Sequence, residues 1–148
     1  MPRAIASAAA SGEMTMMTAG PQAAYDKCEA MLNAMAVKVY KLGDAAPAGT
    51  TVKMINQLLA GVHIAAAAEA MALGIKAGAD PAMLYEVISN SAGSSWMFQN
   101  RVPHILAGDY TPLSAVNIFI KDLGFVLDSA RKLPFPLPLR CARRRAAG

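Results

Sequence analysis

The sequence predicts a mainly α protein in which one βαβ unit, the end of a larger α/β domain, precedes an all-helical region. Three observations carry this. Two short alternating or β-prone stretches flank one helical stretch within about thirty residues, the spacing of a βαβ unit. A small-residue segment, Ala45-Ala-Pro-Ala-Gly49, then separates that unit from the rest of the chain. Beyond it the apolar residues recur at helical rather than strand spacing up to a run of prolines at 134, 136 and 138.

Taken in order, Glu13–Ala19 reads as a strand closed by the turn pair Gly20-Pro21. Pro21 suits the first turn of a helix, and Ala23–Met35 carries Ala24, Cys28, Met31, Leu32 and Met35 at helical spacing. Val37–Leu42 alternates and ends at Gly43-Asp44, a second strand. One βαβ unit is too little for a parallel sheet, which needs neighbours and both faces covered. Residues 45–49 read as a linker. Thr51 to about Ala77 is a long proline-free helix, roughly 40 Å at 1.5 Å per residue. Its apolar residues occur around most of the circumference, so burial on most sides is expected. Gly78-Ala-Asp80-Pro81 ends it and caps the next helix, Met83–Asn90. Ser91–Ser95 breaks the chain, Trp96–Leu106 is helical with a break at Pro103, and Gly108–Pro112 turns. Ser114–Leu133 is an amphipathic helix with Val116, Phe119, Ile120, Leu123, Val126 and Leu127 on one side.

Composition narrows the function classes. The 148 residues are 55% hydrophobic and 16% charged, enough apolar material for a core and unlike a disordered chain. No apolar run reaches the roughly 18 residues of a membrane span; the nearest, Leu58–Ala68, contains His63. The net charge of +4 equals the four arginines at 140, 143, 144 and 145, which leaves residues 1–139 neutral. No aromatic residue is interleaved with them, so a solvated basic tail over 140–148 is expected, with no nucleic-acid partner and no membrane. Cys28 and Cys141 belong to no metal or disulfide spacing, which points to free thiols and a cytoplasmic protein.

Chemistry concentrates at Lys53. Lys53, Asn56 and Gln57 stand at i, i+3 and i+4, so one helix face offers an ammonium and two amides. Such a set suits a carboxylate, hydroxyl or carbonyl, and the lysine can act as a general acid or base. From the pattern alone an ordinary lysine at a helix end is the other reading. Lys121-Asp122 interrupts the apolar side of the last helix and reads as a solvated charge pair. His63 and His104 have no companion at metal or triad spacing and read as structural histidines; no metal site is expected. The serines from Ser89 to Ser95 form no G-x-S-x-G, and no G-x-G-x-x-G occurs to cradle a pyrophosphate.

Several segments, in order, carry a family resemblance. Gly49-Thr-Thr-Val-Lys53-Met-Ile-Asn56-Gln57 resembles the lysine motif of the 3-hydroxyisobutyrate dehydrogenase (β-hydroxyacid dehydrogenase) family, G-x-x-x-K-x-x-N-[NQ]. Glu69–Gly74 resembles its long central helix, and Phe119-Ile-Lys121-Asp122-Leu-Gly124 its K-D-L signature. Gly12–Thr18 with Val39–Gly43 resembles the last strands of its dinucleotide domain. The segments 92–101 and 108–116 look most like the branch of the family that acts on L-threonate. The resemblance covers about residues 8–139.

The resemblance implies a Rossmann-type domain followed by an all-helical domain like that of 6-phosphogluconate dehydrogenase. Residues 1–44 would be the remnant of the dinucleotide-binding domain, 45–139 the helical substrate and dimerisation domain, and 140–148 the tail. The implied activity is oxidation of the hydroxyl of a small hydroxy acid, such as L-threonate or 3-hydroxyisobutyrate, with NAD or NADP. Lys53 would be the general acid/base, Asn56 and Gln57 would orient the substrate, and Lys121 would contact the cofactor. The long helix would support a homo-oligomer. This sequence departs from the family in lacking the Gly-rich loop and the Ser-Gly-Gly substrate loop, which would fall at Arg3-Ala-Ile5, and in placing Pro47 where a glycine is common. With the arginine tail in place of further helices, a truncated product is expected, and a catalytically inactive helical dimerisation module is the alternative.

Overall fold

In the computed structural model, residues 11–111 and 117–138 are described. The basic tail, Cys141, residues 3–5 and the start of the last helix at Ser114 lie outside them. The order is β1 (Met14–Thr18), α1 (Gln22–Met35), β2 (Ala36–Lys41), α2 (Ala46–Lys76), α3 (Pro81–Ser89), α4 (Trp96–Ala107) and α5 (Asn117–Lys132). The mainly α class and the single βαβ unit are as the sequence predicts. The described residues fall into two compact units, 11–56 with 117–122 and 57–111 with 123–138.

In the first unit β1 and β2 pair in parallel, Thr15 opposite Lys38 and Thr18 opposite Lys41, with an irregularity between Met14 and Thr15. Two further bonds tie the strand ends: Leu42 N–H donates to the Thr18 carbonyl at 2.8 Å and Gly20 N–H to the Gly43 carbonyl at 2.9 Å. The Thr18 hydroxyl donates to the Tyr40 carbonyl. Helix α1 runs into β2 without a connecting residue, since Met35 is helical and Ala36 extended. Tyr25, Ala36 and Gly49 are the buried residues here, and the Lys41 ammonium lies 4.9 Å from the centre of the Tyr25 ring, within cation–π reach. Val37 stays exposed, as fits a strand with few neighbours.

The linker expected at 45–49 is not one. Helix α2 begins at Ala46 and runs 31 residues, because alanines are good helix formers and Pro47 falls in the first turn, where its missing N–H costs nothing. The Thr51 hydroxyl closes that turn by donating to the Pro47 carbonyl at 2.8 Å. Nor is the helix buried on most sides. Only Gly49, Ala60, Ala67 and Met71 are buried, whereas Val52, Ile55, Leu59, Leu73 and Ile75 are exposed. By length and composition alone α2 could cross a membrane, a test that a helix made to pack on partner helices also meets.

The second unit has a defined core. Ala67 and Met71 of α2 meet Phe98 and Val102 of α4, and Leu84, Tyr85 and Ile88 of α3 close over them. Tyr85 and Phe98 stack with ring centres 6.0 Å apart at 17°. Asp80 caps α3 by accepting from Met83 N–H at 2.8 Å, with Pro81 beginning the helix as expected. Ser95 caps α4 in the same way through Phe98 N–H at 3.0 Å. Helix α4 does not break at Pro103 but continues to Ala107 and ends on Gly108, whose φ of 62° is the left-handed C-cap conformation.

Candidate functional site

Helix α2 carries the lysine motif on its first turns. Gly49 is buried against the end of β1, where an added Cβ would come no closer than 3.5 Å to Ala19, an ordinary contact. One turn later Lys53 and Asn56 are exposed and Gln57 is half-buried. The spacing places Asn56 and Gln57 one turn on and to either side of Lys53, so an ammonium and two amides share one face of the helix. Lys53 is therefore not an ammonium forced into a buried helix. The cost of burial gives no reason for an anionic partner here, and the donor set and its spacing remain.

Lys121 lies on α5, in the same compact unit as Lys53. Its side chain is exposed, and its Nζ is 3.6 Å from Oδ1 of Asp122, whose carboxylate is 17% exposed. The charge pair read from sequence is present, with its acidic half turned inward. His63 is half-buried in the middle of α2. His104 is not without a companion: its Nδ1 lies 3.4 Å from Oδ2 of Asp109. The pair forms because the left-handed turn at Gly108 folds the chain back over the end of α4, where Asp109 N–H donates to the His104 carbonyl. The carboxyl of Asp109 is held below the usual carboxylate range, chiefly by hydrogen bonds from Thr111 and secondarily by His104. Gly108-Asp109 is the only local sequence signal of this arrangement.

Between α1 and β2 lies a pocket of about 230 Å³ lined by Tyr25, Glu29, Leu32, Asn33, Val39 and Lys41. None of the residues singled out for catalysis lines it. Among the described residues no group of three or more His, Cys, Asp and Glu could hold a metal ion.

Residues 47–146 match the family model described as the NAD-binding segment of NADP-dependent 3-hydroxyisobutyrate dehydrogenase. The chain belongs to that family. Among curated relatives it is 70% identical over 137 residues to the L-threonate dehydrogenase of Cupriavidus necator, covering 93% of this chain and 46% of that protein. The L-threonate dehydrogenase of Escherichia coli K12 is 56% identical over 131 residues, covering 88% of this chain and 43% of the relative. The crystal structure of a 3-hydroxyisobutyrate dehydrogenase from Salmonella typhimurium superposes with a TM-score of 0.88 at 55% identity, over 94% of this chain and 49% of that one. The chain thus spans about half the length of the relatives it matches.

Proposed function

We propose that the chain is the helical, substrate-binding part of an NAD-dependent dehydrogenase acting on a small hydroxy acid, with L-threonate the favoured substrate. The observation that carries this is the Gly49-to-Gln57 motif on the first turns of α2. The 70% identity to an L-threonate dehydrogenase supports the choice of substrate. In this reading residues 1–44 end a dinucleotide-binding domain and 45–139 form the substrate and dimerisation domain. NADP is the other cofactor that the family description admits. The free thiol of Cys28 goes with a cytoplasmic location.

The donor set fits the chemistry. When bound, the nicotinamide supplies the acceptor for the hydride that leaves the carbon bearing the hydroxyl. Lys53 takes the proton from that hydroxyl as the carbonyl forms and returns it in the reverse direction. Its ammonium also favours negative charge developing on the oxygen. Asn56 and Gln57 donate to the substrate carboxylate or a neighbouring hydroxyl and hold it against Lys53. Lys121 is the residue that would contact the cofactor.

The test is NAD reduction with L-threonate by this chain alone and after addition of the separately produced dinucleotide half of a relative. Turnover is expected only after addition, and Lys53→Ala should then lower kcat by roughly 10²- to 10⁴-fold. Full turnover by the Lys53→Ala variant would overturn the assignment of the lysine. Silence in both mixtures, from a chain shown to be folded, would overturn the enzymatic reading. The second reading, a catalytically inactive helical association module, rests on the exposed Val52, Ile55, Leu59 and Leu73 of α2. It requires self-association at micromolar concentration, and light scattering that gives a strict monomer would remove it.

A further inference from the structure

A proline eight residues into a helix should break or bend it, yet α4 is continuous through Pro103. Pro103 has no N–H, so the carbonyl four residues earlier, that of Gln99, loses its helical donor. The Tyr85 hydroxyl of α3 donates to that same carbonyl at 3.2 Å. The Gln99 side chain is bound as well. Its Nε2 donates to the Ser89 carbonyl at 3.1 Å and to the Ser94 hydroxyl at 3.0 Å. The Tyr85 ring, meanwhile, stacks on Phe98, the neighbour of Gln99. Main chain and side chain of one residue are therefore tied to α3 and to the loop after it.

We propose that Tyr85 and Gln99 form a clasp whose hydroxyl–carbonyl bond replaces the hydrogen bond that Pro103 removes, so that α3, the loop 91–95 and α4 move as one body. The clasp acts at the point where α4 would otherwise bend. It also fixes the start of α4, where Trp96 stands 68% exposed and uncovered by the described residues. The bond is long for a hydroxyl donor, so its contribution belongs at the modest end for hydrogen bonds. What marks it as a clasp is its dependence on residue 103. An alanine there supplies the missing N–H to Gln99, and the hydroxyl becomes redundant.

The test is a double-mutant cycle on the full chain with Tyr85→Phe and Pro103→Ala, read by urea unfolding followed through Trp96, the only tryptophan. Phenylalanine keeps the stack and removes only the hydroxyl. Tyr85→Phe should lower the folded-to-unfolded ratio about two- to threefold with Pro103 present and by less than about 1.5-fold with alanine there. Equal losses in the two backgrounds would overturn the proposal, since the hydroxyl would then serve something other than the carbonyl left by the proline. No loss in either background would overturn it equally.

Discussion

Helix α2 passes α3 at Gly74, and the geometry there sets the effect of giving that residue a side chain. A Cβ built on Gly74 would lie 2.6 Å from Leu84 Cδ1, with Cδ2 at 3.4 Å and Cγ at 3.6 Å. Two effects oppose each other in Gly74→Ala. Alanine in a helix interior is favoured over glycine by about 1 kcal/mol. Forcing an extra methyl into a packed contact costs about 1–3 kcal/mol. Leu84 leans on the core formed by Ala67, Met71, Phe98 and Val102, which limits how far it can turn away. The steric term should win, leaving Gly74→Ala destabilised by about 1 kcal/mol, roughly a fivefold change in the folded-to-unfolded ratio. In a Leu84→Ala background the obstruction is gone and only the propensity remains, so the same substitution should stabilise by up to about 1 kcal/mol. Urea unfolding monitored by Trp96 emission measures both. A Gly74→Ala protein more stable than the parent with Leu84 in place would refute the reasoning, because Leu84 would then be yielding at little cost.

Asp80→Ala removes the side-chain acceptor of Met83 N–H and should cost about 1 kcal/mol, measured by the same unfolding experiment; Asp80→Asn, which keeps an acceptor, should cost less. Asp109 has a depressed folded pKa, so its stabilisation is complete above the pKa of the unfolded carboxyl and is lost as pH falls through the folded value. The difference in urea midpoint between parent and Asp109→Asn should accordingly be present at neutral pH and vanish in strong acid. A difference that persists in acid would show that the carboxylate charge is not its source.

Features encoded by adjacent residues are legible in the sequence. Gly20-Pro21 and the alternation of Val37–Leu42 are such signals, and they place β1, α1 and β2. Asp80-Pro81 and Gly108 likewise mark helix ends through their own side chains or backbone freedom. The segment 45–49 is ambiguous, because alanine and a first-turn proline are compatible with either a linker or a helix start, and only the helix that continues from it decides between them. Pro103 misleads because the donor that compensates for it, Tyr85, stands eighteen residues earlier in the sequence. Burial of α2 is overestimated from sequence since composition records how apolar a helix is and not whether its own chain covers it. For the candidate site, the spacing of Lys53, Asn56 and Gln57 is legible because it lies within one helix. The companion of His104 is not, because it depends on a left-handed turn folding the chain back.

Because Met35 joins Ala36 directly, the βαβ unit can take up length only at the irregularity that opens β2, where Val37 has no partner between Ala36 and Lys38. Alternate residues of β2 face opposite ways, and Val39 and Lys41 are the ones that face Tyr25 of α1. Beyond that irregularity the pairing is regular, and a single codon inserted after Lys38 would move the side chains that follow it to the other side of the strand. Tyr40 would then be carried towards α1 and Val39 away from it. Length variation should therefore be selected against between Lys38 and Gly43, where pairing and the bonds from Leu42 and to Gly43 fix the register, while residues 44–45 can accept it.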